Sequence, residues 1–467
     1  MIENSLIEKK SILGFLKKNP DWDELAKDCV CFANAQGGHI YVGIEDSDSE
    51  PPENQKISND LTAKILKQIQ NRTISVNITA SVIESENKSE YIDINIQRSL
   101  SSIASTTNGR YYLRVNDVCK PVLPYELTRL MNDRQAYNWE TQQLQKISRK
   151  DYDIEKFEQF KKDIIKSSRI SNFVKSKTDD ELIDYYFFAI GDYLTNLGIL
   201  WIGKRHDRAN LLYSPTVQYI KYDELDRKVN KIVWDEFSMN PKELLQSVWE
   251  SIPEFKESLE YPDGIFRKNI YNYDEVVVRE LLVNALVHRP YTTRGDIFIN
   301  LYLDRLEIHN PGLLPLGVSP ENILHTSVQR NPLLSKVFFD LMLMEKEGSG
   351  YDTIYEVLLA NGKNVPVVEE KNDRVVVTVR KNIVNQEVIN FIDKINKKYN
   401  LKSKELIALG LIAQKKSTSL KDISKIIGQD TKTIQQEWMY GLIEHGIILF
   451  EDKTTELIYY INPSINI

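Results

Sequence analysis

The stretch Phe32-Ala33-Asn34-Ala35-Gln36-Gly37-Gly38-His39-Ile40-Tyr41-Val42-Gly43-Ile44-Glu45-Asp46 decides how the first part of this chain is read. It spells the end of a helix, a tight Gly-Gly turn, and a strand that delivers two carboxylates at its far end. Upstream, Glu3 and Glu8 flank the short segment Asn4-Ser5-Leu6-Ile7, and Lys10 follows closely. If the strand folds back beside that segment, Glu3, Glu8 and Asp46 converge. Like charges at close range repel, so three converging carboxylates make sense where a divalent cation holds them. Hard cations such as Mg²⁺ or Mn²⁺ prefer such oxygen ligands. Metal-bound carboxylates beside a lysine are a common means of cutting a phosphodiester. The plain alternative is ordinary folding grammar, with a Gly-Gly turn before a strand and a solvated acidic loop after it.

The same residues carry a resemblance. Glu3-x4-Glu8-x-Lys10, a helix ending in Phe32-Ala33-Asn34-x-x-Gly37-Gly38, and then Gly43-Ile44-Glu45-Asp46 together resemble the Schlafen AlbA-type domain. The resemblance implies that Glu3, Glu8 and Asp46 coordinate the metal and that Lys10 joins them in catalysis. It implies structured RNA such as tRNA, or DNA, as substrate. Lys9 stands where the family usually places an aromatic, and Glu45 where an aspartate is common; neither change removes a ligand. Bacterial members with this signature include proteins described only as DNA-binding, so it specifies the domain more closely than the activity.

With 467 residues the chain is too long for one core, and two to four domains are expected. An apolar share of 42%, with 24 Tyr and 15 Phe, is that of a globular protein. The formal charge of −7 argues against a broad cationic surface, so nucleic acid would have to be met by a local patch. Three cysteines, two of them in Cys29-Val30-Cys31, make neither a disulfide framework nor a zinc pattern. Cys29 and Cys31 read as small buried residues of a helix, and a reducing cytoplasm is expected. The N-terminus is polar rather than signal-like. The most apolar run, Tyr185 to Gly203, contains Asp192 and Asn196 and reads as a buried helix plus strand, not a membrane span.

Four regions are expected in an α/β (α+β) multidomain chain. Residues 1–135 form an α/β unit with helices over 23–34 and 61–70 and strands over 40–44, 75–83, 91–97 and 111–115. Its last strand, Gly109-Arg110-Tyr111-Tyr112-Leu113-Arg114-Val115, is either a surface strand with one solvated face or a phosphate-contacting edge. Residues 136–270 read as a connecting α/β region, with a helix over 156–166, a helix start at Asp179, and strands at 201–203 and 209–219 around a charged loop. Residues 271–382 and 383–467 form the last two regions.

Residues 274–289 are strongly helical. Glu280, Asn284 and His288 recur every fourth residue, so they line one face of an otherwise aliphatic helix. A buried polar stripe needs partners, supplied either by the core or by a ligand. A hairpin signal over 296–310 follows, turning at Asp304-Arg305 and ending in Asn310-Pro311-Gly312. Gly348-Ser349-Gly350 then opens a helix, where free backbone N–H groups can cradle phosphates. In this order the set resembles the GHKL (Bergerat-type) ATP-binding fold, in the subgroup often fused to Schlafen AlbA-type domains. The resemblance implies that Asn284 binds the Mg²⁺ of ATP and that Glu280 activates water. It assigns the phosphate glycines to Gly348 and Gly350, and the adenine motif to Asn310 and Gly312, which replace the usual Asp-x-Gly. His288 joins this nucleotide set.

Over 383–467 a polar connector, helices near 404–414, 420–427 and 431–445, and a hairpin over 447–461 read as a winged helix. Its third helix is poorly basic, so DNA contact and protein packing both stand. The expectation for the whole chain is an ATP-gated, metal-dependent endonuclease with weak ATPase activity, homo-oligomeric and suited to antiphage defence. The alternative is a non-enzymatic, ATP-responsive DNA-binding regulator.

Overall fold

The computed structural model describes residues 6–99, 102–115, 118–132, 139–211, 213–263, 266–315, 318–325, 328–345, 350–385, 387–453 and 456–465. Glu3 and Gly348 therefore lie outside the described residues. The chain forms two compact units, one of Met1–Asn138 with Pro315–Val318, the other of Trp139–Leu314 with Ser319–Ile467.

The first unit is built on a four-stranded sheet. Strand β1 (Ile7–Lys10) precedes helix α1 (Trp22–Asn34) and strand β2 (Gly38–Val42), and α2 (Asn59–Arg72), β3 (Asn77–Glu84) and β4 (Glu90–Gln97) follow. The strand order is β1-β2-β4-β3, with β1 parallel to β2 and the other pairs antiparallel. The fold-back foreseen from the Gly-Gly turn is present: Glu8 lies opposite Ile40 and Lys10 opposite Val42. Gly38 sits at φ +150°, and a Cβ there would come within 2.6 Å of the Phe32 ring, so the turn admits no side chain. Asn34 closes the helix by donating to the carbonyls of Ala104 and Tyr112 and accepting from the Ala104 N–H. Its amide is spent on structure. Leu25, Val30, Phe32, Ile40, Val42, Ile65, Ile92 and Ile94 fill the core.

A hairpin of β5 (Tyr112–Val115) and β6 (Val118–Pro121) packs on α1. Here the cysteine reading is corrected. Cys31 on α1 and Cys119 on β6 are joined as a disulfide, with Cα atoms 5.8 Å apart, and only Cys29 is free, with burial raising its thiol pKa. Sequence separation hid the pair, because the two cysteines stand 88 positions apart.

The second unit opens with α3 (Ile154–Lys166), α4 (Asn196–Ile202) and α5 (Arg205–Ala209). The strand expected at 201–203 is thus the end of a helix, and the charged loop after it is helix α5. The Thr195 side chain accepts from Gly198 N–H and starts α4. Arg208 then buries its guanidinium on the carbonyls of Gly203, Phe237 and Ser238. Strands β7 (Val217–Tyr222) and β8 (Lys228–Trp234) and helices α6 (Pro241–Ser251) and α7 (Glu275–His288) come next. Strands β9 (Ile297–Leu301) and β10 (Arg305–Pro311), helices α8 (Pro332–Asp340) and α9 (Gly350–Ala360), and strands β11 (Val367–Lys371) and β12 (Arg374–Arg380) complete the layer.

One six-stranded sheet runs β8-β7-β9-β10-β12-β11, with β7 parallel to β9. Strands from the region read as a connector are therefore hydrogen-bonded into the same sheet as the 296–310 hairpin. Tyr219, Ile299, Leu306, Ile308 and Val377 share its core with Val277, Leu281 and Leu334 of the helices.

Beyond the sheet, the polar connector is replaced by α10 (Glu387–Tyr399). Val388, Ile389, Phe391, Ile392 and Ile395 recur at helical spacing and are buried. Helices α11 (Ser403–Lys415) and α12 (Leu420–Ile427) follow, then a helical stretch from Thr431 to Glu444 with a wide turn at Ile434–Met439. Strands β13 (Ser417–Ser419), β14 (Ile448–Lys453) and β15 (Glu456–Ile461) pair in the order β13-β15-β14. Among the described residues no helix is long and apolar enough to cross a membrane.

Candidate functional site

Helix α7 is capped by Asp274, whose side chain accepts from Val276 N–H, and most of its side chains are buried aliphatics. Glu280 lies among them at 1% exposure. Burial raises its pKa, with the Arg279 charge opposing and the Glu345 charge reinforcing the shift. Arg279 is its nearest cation, 3.7 Å from Oε1. Against this stripe sits the N-terminus of α9. A Cβ on Gly350 would stand 3.2 Å from Glu280 Oε2 and 3.5 Å from Asn284 Nδ2, so the two helices meet closely there.

Glu280 Oε1, Asn284 Nδ2 and Asn310 Oδ1 are buried without a hydrogen-bond partner among the described residues. Buried polar atoms are normally paired, so these two on α7 and one on β10 are candidates for contact with a ligand. At the other end of the stripe, packing pushes the His288 pKa down to about 4, with the Arg330 charge adding to the effect. Arg330 donates to the His288 carbonyl, and the Asn331 amide donates to the carbonyls of Val287 and Arg289. Gly312, at φ +83°, lies against Pro290, where a Cβ would approach Cγ to 2.6 Å. Asn310 shares the helix-facing side of β10 with Leu306 and Ile308 by strand alternation. Glu280, Asn284, Asn310 and Gly350 thus belong to one polar seam beneath α9, with His288 and Gly312 at its far end.

The N-terminal cluster has the opposite character. Glu8 Oε1 lies 2.8 Å from Lys10 Nζ and Oε2 lies 2.7 Å from Arg114. Lys10 also reaches Asp28 of α1 at 3.0 Å. Two cations and two carboxylates neutralise one another. Burial pulls the Lys10 pKa down, yet Asp28 and Glu8 outweigh it and leave it raised; at Asp28, burial outweighs Lys10 and raises the carboxyl. Arg114 is 2% exposed, donates to the Ile7 carbonyl, and lies 4.4 Å over the Phe32 ring. It is an interior strut, not a phosphate-contacting edge.

Asp46 is exposed beyond the end of β2. Its loop is fastened by Lys9, whose buried Nζ donates to the carbonyls of Asp46 (3.2 Å) and Asp48 (2.7 Å). Lys9 points to the face of β1 opposite Glu8. Among the described residues, no three His, Cys, Asp or Glu side chains are grouped so as to hold a metal ion. With both Glu8 oxygens on cations, the described residues do not present a ready metal cage.

Residues 3–123 match the family model described as Schlafen, AlbA_2, and residues 295–379 match that of the putative ATP-dependent DNA helicase recG C-terminal. The chain carries both domains. The HATPase-type match implies ATP binding, and the two together mark an ATP-binding, nucleic-acid-related protein. The HATPase match begins after α7, so Glu280 and Asn284 stand outside it and rest on geometry alone. No curated protein matches the chain. Among solved structures, the DIP2311 protein from Corynebacterium diphtheriae superposes with a TM-score of 0.59 at 19% identity, covering 98% of this chain and 92% of that one. That likeness speaks for the fold alone.

The structure adds Asp28 and Arg279 and gives Arg114 a role other than the phosphate-contacting edge read in its strand. Asp28 and Arg114 complete the Glu8–Lys10 network, and Arg279, Arg330 and Asn331 frame the α7 seam. Asp28 carried a usable signal, a charged residue on an otherwise apolar helix face. Arg114 was visible as part of a strand rich in arginine and tyrosine, but its pairing with Glu8, 106 positions upstream, was not.

Proposed function

We propose that ATP with its Mg²⁺ binds along Glu280, Asn284, His288, Asn310 and Gly312 beneath the N-terminus of α9, and that nucleotide controls an action on nucleic acid by the N-terminal domain. The observation that carries this reading is the seam at Gly350, where the start of α9 sits directly on Glu280 and Asn284 while Glu280 Oε1 and Asn284 Nδ2 are buried without a hydrogen bond among the described residues. Bound ATP would supply a triphosphate with its magnesium. Asn284 would hold the metal-phosphate end, and the N-terminus of helix α9 would present its positive dipole end, favourable to anions. Glu280, desolvated and with a raised pKa, is a stronger base than a surface carboxylate and suits orientation of a water for slow hydrolysis.

For the output, the ion-paired state of Glu8 supports gripping nucleic acid as an ATP-responsive regulator over cutting it. To ligate a metal, Glu8 would have to give up Lys10 or Arg114. The nuclease reading, with Mg²⁺ or Mn²⁺ on Glu3, Glu8 and Asp46 and a role in antiphage defence, is supported by the pairing of β1 with β2, which brings the Glu8 and Asp46 segments to neighbouring strands. The helix and strand order of 383–467 supports the winged-helix reading. Its exposed helix side carries Lys432 against Glu437 and Glu444, which fits protein packing better than a base-reading helix.

Calorimetry tests the nucleotide site. Asn284→Ala should weaken ATP binding by about tenfold to a hundredfold, as expected for lost bonds to a charged ligand, and unchanged affinity would refute this placement. Incubation of the protein with tRNA or single-stranded DNA and Mn²⁺ separates the outputs. Binding without cleavage supports the regulator, whereas cleavage that Glu8→Ala abolishes establishes the nuclease.

A further inference from the structure

Helix α9 belongs to two cores at once. Ile354 and Leu358 pack with the six-stranded sheet and α7, while Tyr355 and Leu359 pack with Phe391, Ile407, Leu411 and the rest of the C-terminal helices. Its first residue, Gly350, is the one seated on Glu280 and Asn284. Its far half meets α11 so closely that a Cβ on Gly410 would stand 2.7 Å from Leu359 Cβ. Two backbones meshed at that distance do not slide past each other freely, because packed interiors offer discrete rather than continuous arrangements.

The C-terminal end of α9 is tied on three sides. Lys363 donates to the carbonyls of Tyr271 (2.6 Å) and Asn272 (2.7 Å), two residues before the Asp274 cap of α7. Its own carbonyl accepts from the side-chain amide of Gln414 on α11 at 2.6 Å. The Gly362 carbonyl accepts from the N–H of Val384, where the chain turns toward α10. A second strap serves the other end of the seam. Arg330 and Asn331 hold the carbonyls around His288, while His325 bonds the Ile427 carbonyl of α12 at 2.6 Å. Both ends of the polar stripe on α7 are therefore connected through packed or hydrogen-bonded groups to the C-terminal helices.

We infer that α9 is a lever by which nucleotide at the α7 seam sets the position or rigidity of the 387–461 module. This inference rests on the nucleotide reading proposed above. A ligand that draws Gly350 toward or away from Glu280 and Asn284 shifts α9 as a unit. The ties at Lys363 and the Leu359–Gly410 mesh hand that shift to α11. The module then responds to ATP without touching it, a coupling between two distinct places in one unit.

Hydrogen exchange on the full chain, with and without a non-hydrolysable ATP analogue and Mg²⁺, reads the coupling directly. Amides of 403–415 and 420–427 should change exchange rate by about fivefold or more together with those of 350–360, in the range of ordinary allosteric couplings. Gly410→Ala should keep calorimetric binding of the analogue and lose the response in 403–427. Gln414→Ala, which removes a single amide and adds no bulk, should reduce that response if Gly410→Ala fails to fold. Binding heat with exchange changes confined to 275–288 and 350–360 overturns the lever alone. Absence of binding heat in the wild-type chain overturns the nucleotide site, and the lever with it.

Discussion

The two polar clusters of this chain have similar ingredients and opposite states. At Glu8, Lys10, Asp28 and Arg114 every charge has a counter-charge within about 3 Å, and the cluster ties a strand, a helix and a hairpin together. At Glu280, Asn284 and Asn310 buried polar atoms have no hydrogen bond among the described residues; Arg279 stands 3.7 Å from Glu280, and Gly350 of α9 is set against Glu280 and Asn284. A satisfied buried network stabilises and specifies a fold, whereas an unsatisfied one lowers stability until something binds. The difference separates a cluster whose charges are spent on holding the fold together from one whose unmet groups support the nucleotide site proposed above, even though the sequence makes both look like sites.

The contrast can be broken most sharply at Arg114. Arg114→Ala leaves Glu8 with one cation and should destabilise the first unit by about 3–5 kcal/mol, the penalty for breaking a buried pair. Chemical denaturation of the full chain followed by tryptophan fluorescence would measure it, and a loss under 1 kcal/mol would mean the cluster is not structural.

A smaller effect is expected at His288. Its folded pKa of about 4 lies below the ordinary 6.5, so the unfolded chain binds the extra proton first. The contribution of the neutral ring is complete above pH 6.5 and is lost as pH falls toward 4. His288→Gln should flatten that acid limb by on the order of 1–3 kcal/mol. An unaltered acid limb would show that the ring is already solvated.

The smallest change runs the other way. Glu280 has a raised pKa, so the folded state favours its protonated form, and its charge destabilises the fold increasingly as pH rises through that value. Glu280→Gln should stabilise the ligand-free protein at pH 8 by roughly 1 kcal/mol and do little at pH 4. Destabilisation at pH 8 would show that Glu280 is a paired structural acid after all, and would erase the contrast with Glu8.

Much of this was legible in the residues. The Gly37-Gly38 turn, a strand after it able to fold back beside the Glu8 segment, the α7 stripe and the hairpin at Asp304-Arg305 all follow from local rules of periodicity and turn chemistry. Long-range facts were not. Nothing near Cys31 announces Cys119, nothing near Glu8 announces Arg114, and the apolar run before Gly203 cannot reveal by period alone whether it coils or extends. Helix α10 was hidden for a different reason: its Lys and Asn residues gave the segment a polar average while five apolar side chains kept helical spacing. The candidate sites divide the same way. Glu280, Asn284 and Gly350 were recognisable and meet in space. Glu8 and Lys10 were recognisable too, but their partners turn out to be each other, Asp28 and Arg114.

The pairing of β7 with β9 also sets the order in which the protein can be made. The sheet of the first unit is complete once Gln97 has left the ribosome. The sheet of the second cannot close before Arg380 has emerged, although β7 begins at Val217. At about 5–20 residues per second, β7 and β8 wait for roughly 3–13 s as a two-stranded ribbon with an exposed edge, until β9 emerges at Leu301. Synthesis speed across 235–380, and any chaperone that covers that edge, are therefore expected to set the yield of functional protein.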